Sequence, residues 1–212
     1  MLSSALLVTL PVFLQAPWVR ISPASAAAFT AVLLAAGLAL ERCDAPGRRN
    51  AGLLLIGFAG SWLAGSLFWG WARLHPLWHL PIEAIALPLA LGGLTIPRWR
   101  LACGFYLGSL LGTAATDAAI AATGLMPLWP AALAASPAEA AQLLHRAAEQ
   151  VLQPAALSLV GCCALLLLQA SRWLWQRGEA GRVASAALAT TLAVDGLFLL
   201  AALLAPRLSG LI

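Results

Sequence analysis

Apolar stretches of membrane-crossing length recur along the whole chain, and they constrain its fold more than any other feature of the sequence. A helix that crosses a bilayer needs about 20 mostly apolar residues. Seven segments fit or nearly fit: 2–18, 23–40, 51–72, 78–96, 99–123, 154–175 and 183–205. Short polar turns separate most of them, as expected of antiparallel neighbours. Of the 212 residues, 62% are hydrophobic and 9% charged. A water-soluble domain carries about 25% charged residues. The expected fold is therefore an all-α, polytopic transmembrane helix bundle, one domain over residues 1–212, with the lipid bilayer as its solvent. It has about seven spans, or six if the weak first segment is discounted. Pro11 should kink that first segment.

The net charge of +4 comes from arginine alone, since the chain has no lysine. Nucleic-acid binding needs a clustered basic face with polar or aromatic readers, and none is visible. In a membrane protein such charge sets orientation, the richer side being cytoplasmic. The N-terminus and the even-numbered loops carry Arg42, Arg48, Arg49, Arg98, Arg100, Arg172, Arg177 and Arg182, eight in all. The other side carries four: Arg20, Arg73, Arg146 and Arg207. The N-terminus is thus expected in the cytoplasm and the C-terminus outside. Tryptophans agree, because amphipathic rings prefer the two interfaces. Trp18, Trp69, Trp71, Trp78 and Trp129 fall near outer ends, Trp99, Trp173 and Trp175 near inner ends, and Trp62 alone in mid-segment.

Ala24-Ser25-Ala26 after an apolar stretch resembles a signal-peptide cleavage site. No basic region precedes the stretch, and Arg20 and Pro23 interrupt it, so it reads as a retained first helix. Cys43, Cys103, Cys162 and Cys163 show no metal-ligand or CxxC spacing and read as small buried apolar residues. Residues 136–153 form an interfacial amphipathic helix. Ser136-Pro137-Ala138-Glu139 is a capping-box pattern, and Glu139, Gln142, Arg146, Glu149 and Gln153 recur at helical spacing.

Spanning helices associate through close packing of small residues. Gly104, Gly108 and Gly112 form one smooth ridge and Gly57, Ser61 and Gly65 another, each with an interval of four residues. The ridges could face each other or a partner protein.

Charged groups inside a bilayer are expensive, at about 2.5–3.5 kcal/mol on insertion scales. Glu83 and Asp117 lie within predicted spans, each about 8–9 Å from the outer face by helical rise. The hairpin from Phe68 to Glu83 adds Arg73, His75 and His79. His79 and Glu83 can share a helix face, and Arg73 is near enough to neutralise either acid. The candidate polar site is Arg73, His75, His79, Glu83 and Asp117. Four readings stand: a structural network, a solute or proton pathway, a site for a pigment, lipid or quinone, and a metal or catalytic centre. No established metal spacing is matched. Asp195, near the middle of the last span, is a further proton or hydrogen-bond site. No catalytic triad order, phosphate loop, zinc-protease motif or dinucleotide fingerprint is present, and the sequence leaves the cofactor unknown.

Gln15-Ala16-Pro17-Trp18-Val19-Arg20, Ser61-Trp62-Leu63-Ala64-Gly65-Ser66, Phe68-Trp69-Gly70-Trp71, His79-Leu80-Pro81-Ile82-Glu83-Ala84 and Phe105 to Thr113 with Thr116-Asp117 resemble a cyanobacterial multi-pass membrane family, a domain of unknown function. The likeness covers roughly residues 1–130 and is poor in the last third. It implies a cyanobacterial plasma or thylakoid membrane and brings no activity. The expected function is a non-enzymatic assembly, scaffold or binding component, whose partner is another membrane protein or a pigment–protein complex. A small transporter or transporter substrate-binding subunit using the acid/histidine cluster is the alternative. An intramembrane enzyme on pigment or lipid ranks third.

Overall fold

The computed structural model describes residues 2–204, and the elements among them are helical. Arg207, counted above for orientation, lies outside the described residues. Among the described residues six helices are long and apolar enough to cross a membrane: Leu2–Ile21, Pro23–Glu41, Pro46–Ala72, Pro97–Ala122, Pro154–Trp175 and Gly178–Leu204. The chain is a polytopic transmembrane helix bundle.

The first crossing is α1 (Leu2–Leu10) and α2 (Ala16–Ile21), joined by a π-helical turn at Pro11–Gln15. Pro11 cannot donate to the preceding turn, and the ladder widens there. α3 (Pro23–Glu41) returns alongside α4 (Pro46–Leu67), which also ends in a π-helical turn, Phe68–Ala72. Proline opens both helices at a position where the missing N–H costs nothing. α7 (Arg100–Ala122) lies beside α4. After it come α8 (Leu128–Ala134), α9 (Pro137–Val151), α10 (Pro154–Trp175) and α11 (Gly178–Leu204). Gly124, at a φ of 73°, closes α7 in the left-handed conformation that favours glycine.

α4 and α7 run parallel, since Gly57 meets Ala102, Phe58 meets Phe105 and Gly60 meets Tyr106. The chain between them must therefore return the length of the bundle. It does so as a broken crossing, not the continuous span expected over 78–96. Pro76–Trp78 and Ala84–Ala86 are 3-10 turns around α5 (His79–Glu83), and α6 (Leu87–Gly93) completes the descent. Pro81 and Pro88 are the cause: each lacks an N–H and disfavours helix in the residue before it. The described residues thus make seven crossings, six of them unbroken.

α4 is the central helix. Its Phe58 and Trp62 pack with Leu101, Ala102 and Phe105 of α7 and Val183 and Ala187 of α11. The glycine ridges are used inside the chain. A Cβ at Gly108 would stand 2.5 Å from the Ala184 carbonyl oxygen, and one at Gly104 2.7 Å from that of Ala180. At Gly112 it would meet Thr191. The α7 ridge thus seats α11 backbone to backbone. Gly57 does the same for α7 at Ala102, Gly65 accommodates Gln15, and Ser61 is half-buried between them.

Eight described arginines gather at one end of the bundle, where Arg98 of the α7 entrance pairs through two nitrogens with both oxygens of buried Glu41. Arg20, Arg73 and Arg146 belong to the other end. There α9 lies across the helix ends: His145 Nδ1–H donates to the Ala202 carbonyl at 2.9 Å and Gln150 to that of Thr123 at 2.7 Å. Its capping box is complete, and hydrogen bonds from Ser136 hold the Glu139 carboxyl below the usual carboxylate range. One cysteine expectation fails. Cys103 is buried, but Cys162 is exposed, because α10 sits at the rim with most of its surface towards lipid.

Candidate functional site

Two features meet at the broken fourth crossing: a polar cluster near the α9 end and an apolar groove below it. In the cluster, α5 carries His79 and Glu83 one turn apart, and α7 brings Asp117 against them. His79 Nδ1 donates to Asp117, lying 2.9 Å from one carboxylate oxygen and 3.0 Å from the other. His79 Nε2 is 3.8 Å from Glu83 Oε1. Asp117 is buried, 6% exposed, so its hydrogen bonds to His79 carry its satisfaction.

Aromatic rings enclose the imidazole. The centroids of Phe68, Trp129 and Trp69 lie 4.3, 5.4 and 6.4 Å from that of His79. Trp69 and Trp129 stack at 5.8 Å, and Trp129 Nε1 donates to the Arg73 carbonyl. Trp71 and Trp78 remain exposed, as interfacial anchors do. Placement at a helix end gave no means of separating the two pairs of tryptophans.

The predicted site is thus brought together only in part. His79, Glu83 and Asp117 converge. Arg73 and His75 are exposed, and among the described residues Arg73 makes no ion pair with either acid. It lines a shallow cleft with Arg20 and Trp69 instead. Asp195 joins through the residue beside Asp117: the Thr116 hydroxyl donates to it at 2.6 Å. Among the described residues no group of three or more His, Cys, Asp or Glu side chains is arranged to hold a metal ion.

Tyr106 bridges the break. Its hydroxyl donates to the Glu83 carbonyl at 2.6 Å and accepts the Ala86 N–H at 3.2 Å, satisfying backbone groups that the 3-10 turn frees. Irregular backbone inside a membrane requires such partners. Gln15 plays a related part at the first kink. Buried beside Gly65, it donates to the Trp62 carbonyl and to Ser66 Oγ.

Below Tyr106, α6 stands away from α3 and α4 and leaves a laterally open groove of 710 Å³. Its walls are apolar: Leu34, Ile56 and Leu63 on one side, Ala86, Leu89 and Ile96 on the other, Cys103 and Tyr106 at the back. Gly60, Gly92 and Ala59 contribute no side-chain bulk, and a Cβ at Gly92 would meet nothing within 4 Å. Thr30 also lines the groove. Its hydroxyl is buried and has no hydrogen-bond partner among the described residues. The carbonyl one turn back, that of Ala26, already accepts the Trp62 indole N–H. Neither the groove nor the threonine is legible in the sequence; only the dense glycine and proline content of 81–97 points to imperfect packing.

The family of proteins of unknown function DUF3120 matches residues 4–203, and the chain belongs to it. The match extends through the last third, where the likeness read from the sequence was poor. No curated protein and no solved structure matches the chain.

Proposed function

We propose that this chain is a non-enzymatic assembly, scaffold or binding component of a membrane, and that binding, of a molecule dissolved in the bilayer, is its central role. The observation that carries this reading is the groove: 710 Å³, apolar, and open to the side from which such a molecule would come. Ligand sites are typically concave, largely apolar cavities of about 300–1,000 Å³ with a few polar groups. The glycine ridges lend less support to a protein partner than the sequence suggested, since α7–α11 and α4–α7 packing occupies them. The arginine-rich end supports a cytoplasmic N-terminus. A cyanobacterial plasma or thylakoid membrane rests on the family resemblance alone.

The test is extraction in native lipid discs followed by mass spectrometry of what the purified chain retains. A stoichiometric apolar molecule, lost when Gly92→Trp fills the groove, is the expected result. Retention of bulk lipid in bulk proportions, unchanged by that substitution, would sink the reading.

A second reading has its own observation. Discontinuous membrane helices and intramembrane carboxylates mark solute and proton pathways in transporters, and His79, Glu83 and Asp117 lie on and against the broken crossing. Under this reading Glu83→Gln and Asp117→Asn abolish a solute-dependent phenotype while protein abundance is unchanged.

A further inference from the structure

The groove lies in one half of the membrane, and that half is the arginine-rich one. Its upper limit on α3 is Thr30, about 16 Å along the axis from Glu41 at the helix end. Its foot is Ile96 and Trp99, at the turn that opens α7. That height is close to half of a hydrocarbon core about 30 Å thick, the depth of one leaflet. The upper end offers nothing polar. The Tyr106 hydroxyl is committed to the backbone break, and the Thr30 hydroxyl is sealed from the groove. A polar part of the occupant therefore has partners only at the foot.

Two guanidinium groups flank Trp99 there. Arg98 is held by Glu41 through Nε and Nη2, with its Cζ 5.5 Å from the Trp99 ring centre. Its Nη1 is left over among the described residues. Arg100 is anchored through Nε to the Leu94 carbonyl at 3.1 Å and has no acidic partner among the described residues. Each guanidinium is thus fixed through one edge and keeps terminal nitrogens for an anion, a geometry suited to phosphate. Arg42, Arg48 and Arg49 belong to the same end, so five arginines outnumber two carboxylates, Glu41 and Asp44.

We infer that the groove holds an acyl chain of an acidic glycerolipid from the leaflet at the arginine-rich end, with the lipid phosphate on Arg98 and Arg100. This rests on the binding reading above and deepens it. The hydrocarbon chain fills the apolar walls, and the acidic headgroup selects the molecule.

The experiment uses the full chain in nanodiscs of dioleoylphosphatidylcholine with a minor share of dioleoylphosphatidylglycerol, and native mass spectrometry of the lipid retained. The retained lipid should be enriched in phosphatidylglycerol over its share of the disc, and raising the salt should lower that enrichment. Arg100→Gln should lower it about fivefold, the worth of one arginine beside acidic lipid. Arg100→Lys should keep most of it. Arg177→Gln, at the same end but on the α10–α11 turn, should leave it unchanged. Gly92→Trp, whose side chain has open space to enter, should remove the retained lipid of both headgroups. Enrichment that is absent, indifferent to salt, intact in Arg100→Gln or lowered equally by Arg177→Gln rejects the headgroup assignment. In that event groove binding still stands if Gly92→Trp empties the groove. Retention unchanged by Gly92→Trp overturns both readings.

Discussion

α7 has two faces that are built in opposite ways. Towards α11 it presents Gly104, Gly108 and Gly112, and the two backbones touch. Towards the fourth crossing it presents Cys103, Tyr106 and Asp117, and meets a broken helix, a polar cluster and an open groove. In lipid, helices gain little from burying apolar side chains, so adhesion comes from close van der Waals fit and from hydrogen bonds. The first face uses close fit, with a hydrogen bond from Thr116 to Asp195 one turn beyond Gly112, and leaves no room. The second uses a few hydrogen bonds and leaves space. A helix clamped on one side can tolerate an open, irregular neighbour on the other, and function has room only on the second.

The clamp is where substitution should do most damage. Gly108→Leu would drive a side chain into the Ala184 backbone and should prevent recovery of folded monomer from membranes, measured by size-exclusion profile after mild extraction. Gly108→Ala should cost about 1–3 kcal/mol. Gly112→Ala should cost less, because it meets the Thr191 side chain and not backbone. Equal tolerance at positions 108 and 92 would break the comparison, since Gly92 opens on empty space.

On the open face the hydrogen bonds should matter one at a time. Asp117→Ala leaves His79 Nδ1 without its acceptor in a ring of aromatic side chains, and should cost about 1–3 kcal/mol. Asp117→Asn keeps an acceptor and should cost less. Tyr106→Phe frees the Glu83 carbonyl and the Ala86 N–H together, at about 1–2 kcal/mol. Its signature should be local: faster hydrogen exchange over residues 79–90 with α7 and α11 unchanged. Exchange rising equally in α11 would mean that the two faces are coupled, and the comparison would lose its point.

The sequence made the tight face legible and the open face only half so. Glycines four residues apart are a one-helix pattern, readable without knowing the neighbour. So is the Ser136–Glu139 cap, and so is the His79/Glu83 spacing. Asp117 lies against His79, at a depth below the outer face that its position in the fifth segment shares with Glu83. What the chain did not disclose depends on partners distant in sequence. Arg73 was expected to neutralise an acid, yet the π-helical turn at Phe68–Ala72 and the bend after it carry it away to Arg20. Position alone makes Trp129 an anchor, yet α8 folds it over His79. The groove is an absence of side-chain volume, and no residue type signals that directly. Thr30 becomes conspicuous only once Trp62 is seen to occupy the Ala26 carbonyl.

The smallest predicted effect tests whether α9 contributes to the clamp. It touches the α7–α11 pair through Gln150 and His145, two turns or more beyond its capped start at Ser136. Loss of the cap should therefore stay in the first turn. Ser136→Ala should cost about 1 kcal/mol or less and raise hydrogen exchange at the first turn of α9 alone. Acid should produce the same local change. The Glu139 carboxyl is held below its ordinary value, so the stabilisation it gives is fully present above that value and fades as pH falls through the lower, folded one. Fraying of the first turn should set in only below the usual carboxylate range, and Glu139→Gln should abolish that pH dependence. If either substitution also loosens α7 or α11, α9 is part of the clamp, and the tight face of α7 owes its rigidity to more than its glycines.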